Sequence, residues 1–121
     1  MTQALQLEAL KANSKNVELH PAWHDVLDAT DASLLLENQG PLTYLYRQDV
    51  QENDLYWVSF VNQVGKVCHK PFTYNKTVQK WLYLNNNGIV PPESKLFDCL
   101  SDMIHFNALR CSPKESNPLV S

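Results

Sequence analysis

A chain of 121 residues, 44% of them apolar, is long enough to bury one core and too short to divide into two of ordinary size. No apolar run is long enough to span a bilayer and the N-terminal residues lack a secretory pattern, so a cytosolic protein without membrane insertion is expected. The net charge of -3 disfavours nucleic acid as a partner, and three cysteines (Cys68, Cys99 and Cys111) with no C-x-x-C pair suit packing in a reducing compartment better than a disulfide framework.

Residues 1–16 carry Leu5, Leu7, Ala9 and Leu10 among good helix formers, a short pattern that reads as a helical arm or tail before a domain at 17–121. The segment DATDASLLL (28–36) opens on a capping residue, Asp28, places Asp31 in its first turn and ends in leucines, which predicts a short helix. ENQGP then breaks it. Strands are predicted at 42–47, 55–61 and 66–72, the last two joined by NQVGK as an antiparallel hairpin, with a shorter one at 80–84. From Leu96, the residues Leu96, Phe97, Leu100, Met103, Ile104 and Phe106 recur at helical spacing and predict a second helix. The tail, with Pro113 and Pro118, reads as loop. This order predicts an α+β fold: a central antiparallel sheet with one helix on each face.

Charge is unevenly spread. Residues 1–60 hold three Lys/Arg against nine Asp/Glu, whereas 61–92 hold Lys66, Lys70, Lys76 and Lys80 and no acid. The middle strands therefore carry either a local basic surface or scattered, solvated lysines. Within GPLTYLYRQD (40–49), alternation puts Thr43, Leu45 and Arg47 on one face and Leu42, Tyr44 and Tyr46 on the other. A guanidinium at the end of a buried strand needs either a carboxylate partner, for which Asp49, Glu52 and Asp54 are available, or an anion from outside.

Several stretches together resemble the Src-homology-2 (SH2) domain, a phosphotyrosine-binding module. Trp23 resembles the tryptophan that opens the family's first strand, and SLLLENQG its first helix end and turn. GPLTYLYRQD is similar to the Gly-x-Phe-Leu-Val-Arg-Glu-Ser strand and places Arg47 on the phosphate-binding arginine. LYWVSF resembles the next strand, GKVCHKPF the one that carries the family's histidine at His69, and LFDCLSDMIHF the second helix. The resemblance implies an SH2-like fold that binds tyrosine-phosphorylated proteins or peptides in signal transduction. It implies Arg47 as the phosphate grip, with Ser59, His69, Lys70, Thr43 and Lys66 around it.

The chain departs from the family pattern in several places. Asp28 or Ala29 stands where many members have a second phosphate-contacting arginine. Asp49 replaces the serine two residues after Arg47, and its charge is expected to turn away or into the loop DVQENDL. Pro71 stands where a lysine often flanks the phosphotyrosine ring. NNNGIVPPESK lengthens the loop before the second helix, so residues 85–95, with Asn87, Ile89, Val90 and Pro91, are expected to clamp the peptide with broad sequence preference. These departures point to a divergent member of bacterial-effector type, which would act in a host cytosol.

Other readings stay open on residues alone. An SH2-like fold can bind an unphosphorylated partner or serve as a scaffold. A cysteine hydrolase would need Cys99 or Cys111 beside His105 or His24, but no local signature supports one, so no enzyme activity is expected. Cys68 and His69 point to opposite faces, so no metal and no cofactor is expected, and a monomer is. Trp23, Trp57 and Trp81 read as core and edge packing.

Overall fold

The protein's structure, a computed structural model, describes residues 17–85, 87, 89–91 and 95–120. The arm expected at 1–16 lies outside the described residues. The elements in chain order are β1 (Trp23–Val26), α1 (Ala29–Leu36), β2 (Thr43–Gln48), β3 (Tyr56–Val61), β4 (Val67–Asn75), β5 (Lys80–Tyr83), β6 (Leu96–Phe97), α2 (Leu100–Ile104) and β7 (Asn117–Pro118). The strands form one sheet in the order β1-β2-β3-β4-β5-β6, antiparallel except where β1 and β7 run parallel to β2.

Local chemistry sets the element boundaries. Asp28 is extended and its carboxylate accepts the Asp31 amide at 2.8 Å, so α1 starts where a cap satisfies its free donors. In the β3–β4 hairpin, Asn62 Oδ1 accepts the amides of Val64 and Lys66 at 3.0 and 2.9 Å. Gly65 takes a φ of 87° there, a region that L side chains enter only with strain.

The sheet buries both faces. Tyr44, Tyr46, Val58, Phe60, Phe72 and Trp81 pack with Met103 and Ile104 of α2, while Leu45 and Val61 pack with Ala32 and Leu36 of α1. Alternation along β2 therefore divides one strand between two cores. Arg47 falls on the α1 side, one pleat beyond Leu45.

Two expectations are corrected. Leu96 and Phe97 begin no helix. They pair with Leu82 and Trp81 as β6, and the helix starts at Leu100 and continues through a π-helical turn, His105–Leu109. Apolar residues at 96 and 97 fit a helical stripe and a strand pair equally well, and pairing satisfies the edge of β5. The tail is not all loop either. β1 pairs with β2 only at Tyr46 and Gln48, so the first half of that edge is open to β7: the amides of Asn117 and Leu119 donate to the carbonyls of Leu42 and Tyr44 at 2.9 and 2.8 Å. His24 Nε2 donates to the Leu119 carbonyl at 2.7 Å and fixes the tail beyond β7.

Candidate functional site

Arg47 is 3% exposed, and each of its described partners is uncharged. Its Nε–H donates to Ser59 Oγ at 2.9 Å, one Nη1–H to the Leu27 carbonyl at 3.0 Å, and Nη2 lies 3.5 Å from His69 Nδ1. The Trp57 ring covers one side of the guanidinium, with its centroid 5.1 Å from Cζ. A guanidinium has five N–H donors. These contacts use three, which leaves one N–H on each terminal nitrogen, the pair that makes two parallel bonds to an oxyanion. Among the described residues no carboxylate forms an ion pair with Arg47; the one ion pair is Lys80 with Asp98.

The supporting polar chain has a defined direction. A guanidinium can only donate, so the contact of Arg47 Nη2 with His69 Nδ1 makes that nitrogen an acceptor, and the Ser59 hydroxyl, which receives the Arg47 Nε–H, donates its proton to the same Nδ1 at 2.7 Å. His69 Nε2 then carries the ring proton and donates to Ser33 Oγ at 3.1 Å. Burial first, and then the charge of Arg47, lowers the His69 pKa, in agreement with this neutral tautomer. The register explains the meeting: Leu45, Ser59 and His69 are aligned across three strands, and Arg47 follows one pleat on. Burial also lowers the Arg47 pKa, an effect countered by the carboxylates of Asp49 and Asp28, and a guanidinium stays charged throughout.

Asp49 turns into the loop after β2. Its Oδ2 accepts the amides of Gln51 and Glu52, each at 3.0 Å, and its Oδ1 accepts the Trp57 indole N–H at 2.9 Å.

Arg47, Ser59 and His69 are thus together, joined by Ser33 and Trp57. Sequence reading passed over Ser33; the available signal was a hydroxyl three residues before the buried Leu36, on the inward side of α1. Trp57 was read as packing, yet it forms the wall over Arg47.

The remaining candidates lie elsewhere. Lys70 follows His69 and so faces the opposite side of the sheet, where its Nζ donates to the Asn107 carbonyl at 3.3 Å. Lys66 sits at the hairpin turn, five residues from Pro71, which pairs with Trp57; that is about 16 Å along the strand. Thr43 is buried, about 13 Å back along β2 from Arg47, beside β7.

In the long loop, Asn85 Oδ1 accepts the amides of Asn87 and Ile89 at 2.9 and 3.0 Å. Ile89 and Val90 are exposed and Pro91 is half-buried. The loop joins β5 to β6, with β3 and β4 standing between it and β2.

Of the proposed thiol-site residues, Cys111 and His105 line one cavity together with Asp102, but among the described residues no hydrogen bond joins a thiol to a histidine. His105 bonds to Ser101 and Ser116, His24 to Leu119, and burial with Glu115 raises the Cys111 thiol pKa. Among the described residues no group of three or more His, Cys, Asp or Glu is placed to hold a metal ion, and no helix is long and apolar enough to cross a membrane.

A helix-flanked, mostly antiparallel sheet with a buried arginine at the end of its second strand defines the class as α+β. Solved structures agree on the fold. A Monosiga brevicollis CRK/CRKL homolog SH2 domain is 25% identical, with 83% of each chain covered and a TM-score of 0.53. The VAV1 SH2 domain, solved with a tyrosine-phosphorylated peptide from SLP76, is 20% identical, with 88% of this chain and 71% of that chain covered and a TM-score of 0.54. No protein-family model matches the sequence, and no curated protein matches it. The chain is an SH2-like domain.

Proposed function

We propose that the protein is a non-enzymatic module that binds tyrosine-phosphorylated proteins or peptides, with Arg47 gripping the phosphate. One observation carries the reading: a buried guanidinium held by neutral partners keeps one N–H free on each terminal nitrogen, and among the described residues no carboxylate is paired with it. A dianionic phosphate supplies both the missing charge and the matching acceptors. The phosphopeptide bound to the VAV1 SH2 domain supports the same ligand class. Ser59, His69 and Ser33 hold the arginine from below and Trp57 walls the pocket. The loop at 85–95, through Asn87, Ile89, Val90 and Pro91, clamps peptide residues with broad preference. The module acts as a monomer in a cytosol, which is the host's if the protein is a secreted bacterial effector.

The test is fluorescence anisotropy with a panel of tyrosine peptides, phosphorylated and plain, at fixed ionic strength, on the wild type and Arg47→Ala. Binding that requires phosphate and is lost in a folded Arg47→Ala variant is expected. Equal binding of phosphorylated and plain peptides favours the second reading, a scaffold for an unphosphorylated partner. A single dominant motif at the third residue after phosphotyrosine removes the broad preference.

A further inference from the structure

The loop between β2 and β3 is already wrapped around an anion, and the anion is part of the chain. The Gln51 and Glu52 amides converge on one oxygen of Asp49, the Trp57 indole N–H holds the other, and the Asp49 amide closes the loop onto the Leu55 carbonyl at 2.9 Å. Successive amides that converge in this way form a nest that binds anionic oxygens. The nest begins four residues after Arg47, and the same Trp57 ring that Asp49 pins lies over the guanidinium. A single carboxylate thus uses the loop's donors and fixes the pocket wall, and it does so within the field of the arginine expected to meet a phosphate.

We propose that Asp49 is a built-in competitor of the phosphate: it occupies the loop amides that an incoming phosphate would otherwise take, and its charge opposes the ligand's. It is therefore the residue that holds the module's affinity below what the pocket can reach. The inference rests on the phosphotyrosine reading of Arg47.

The facing charges agree with this role. Arg47 is the cation that faces Asp49, and Asp28, at the start of α1, is the other carboxylate that acts on that guanidinium. Burial works to raise the Asp49 pKa, but the Trp57 indole, the two amides and Arg47 hold it below the usual carboxylate range. The competitor stays ionised wherever a phosphate is dianionic, so the restraint does not titrate away near neutral pH.

Asp49→Ala tests the idea, since alanine removes both the charge and the oxygen that accepts the loop N–H groups, whereas an asparagine Oδ1 would go on accepting them, as Asn62 Oδ1 does in the β3–β4 turn. Asp49→Ser is measured beside it, in case the first variant does not fold. Affinity for a phosphotyrosine peptide is titrated at about 50 and about 500 mM salt, and the Gln51 and Glu52 amide signals are followed by NMR as phenyl phosphate is added.

The expected result is binding about fivefold or more tighter in the variant at low salt, a gain that shrinks at high salt. The two amides should shift with phenyl phosphate in the variant and stay still in the wild type. Phosphate-dependent binding that appears only in the variant supports the inference further. Equal or weaker binding in a folded variant, or a gain that salt leaves unchanged, overturns it and leaves Asp49 a loop-packing residue. If neither wild type nor variant prefers the phosphorylated peptide, the phosphotyrosine reading itself falls and the inference falls with it.

Discussion

Arg47→Lys keeps the charge and removes the fork, so it separates geometry from electrostatics at the site. In the wild type Nε–H and one Nη1–H are spent 2.9 and 3.0 Å away, on Ser59 and on the Leu27 carbonyl, and these two bonds orient the free N–H pair. A lysine ammonium presents its protons from one point. It can satisfy Ser59 or the Leu27 carbonyl but not both, and it offers a phosphate one direct bond where arginine offers two. A charge-assisted hydrogen bond contributes about 1.5–3 kcal/mol, so losing one should weaken phosphopeptide binding by about 10- to 150-fold. Arg47→Ala loses both, about 3–6 kcal/mol, and should fall well below the lysine variant. Isothermal titration calorimetry with one phosphotyrosine peptide, at constant ionic strength, orders the three proteins. The reasoning is refuted if lysine binds as tightly as arginine, since a point charge would then suffice, or if lysine and alanine are equally weak.

The other predictions concern acid stability and the neighbours of the site. His20 accepts the Ala22 amide at Nδ1 (3.0 Å) and packs edge-on to Tyr46, and burial, then His105, lowers its pKa from 6.5 to about 4. As the unfolded chain takes up this proton first, the stability is present above about pH 6.5 and drains away towards pH 4, on the order of 3 kcal/mol in all. Urea unfolding at pH 7 and 4.5 should show the loss, and His20→Asn should flatten it; a level wild-type profile contradicts the assignment. Ser33→Ala leaves the His69 Nε2 proton without its acceptor and should cost about 1 kcal/mol in denaturant unfolding, with weaker phosphopeptide binding. Lys70→Ala and Lys66→Ala should leave the phosphate-dependent part of binding within about twofold, because neither cation is near Arg47; a tenfold loss in the same titration would return them to the pocket.

The parts legible in the sequence are those in which one local signal has one structural solution. Asp28 with Asp31 capped a helix, the Asn62 and Gly65 turn made a hairpin, and period-two alternation put Arg47 beside Leu45 and opposite Tyr46. Where a pattern has two solutions, the outcome depends on neighbours far along the chain. Leu96 and Phe97 fit a helix stripe, but β5 offered an open edge. Asn117 and Pro118 looked like tail, but β1 left half of β2 unpaired. In the site, strand parity put Arg47 on the core side, and the family resemblance supplied its phosphate role and the neighbours Ser59 and His69. The choice of Lys70 as a phosphate ligand ran against the alternation that turns it to the face opposite His69. Ser33 was missed because its role is fixed only when α1 is laid against β4.

The shared edge of β2 also bears on how such a module is built into longer polypeptides. The chain enters the sheet at Trp23 beside Tyr46 and leaves it at Pro118 beside Tyr44, two residues apart on one strand, or about 7 Å. Entry and exit points this close let a domain be spliced into a surface loop of another protein, or be circularly permuted through a short linker, with little strain on the host. The strand that bears the arginine is thereby also the seam at which the module joins whatever precedes and follows it.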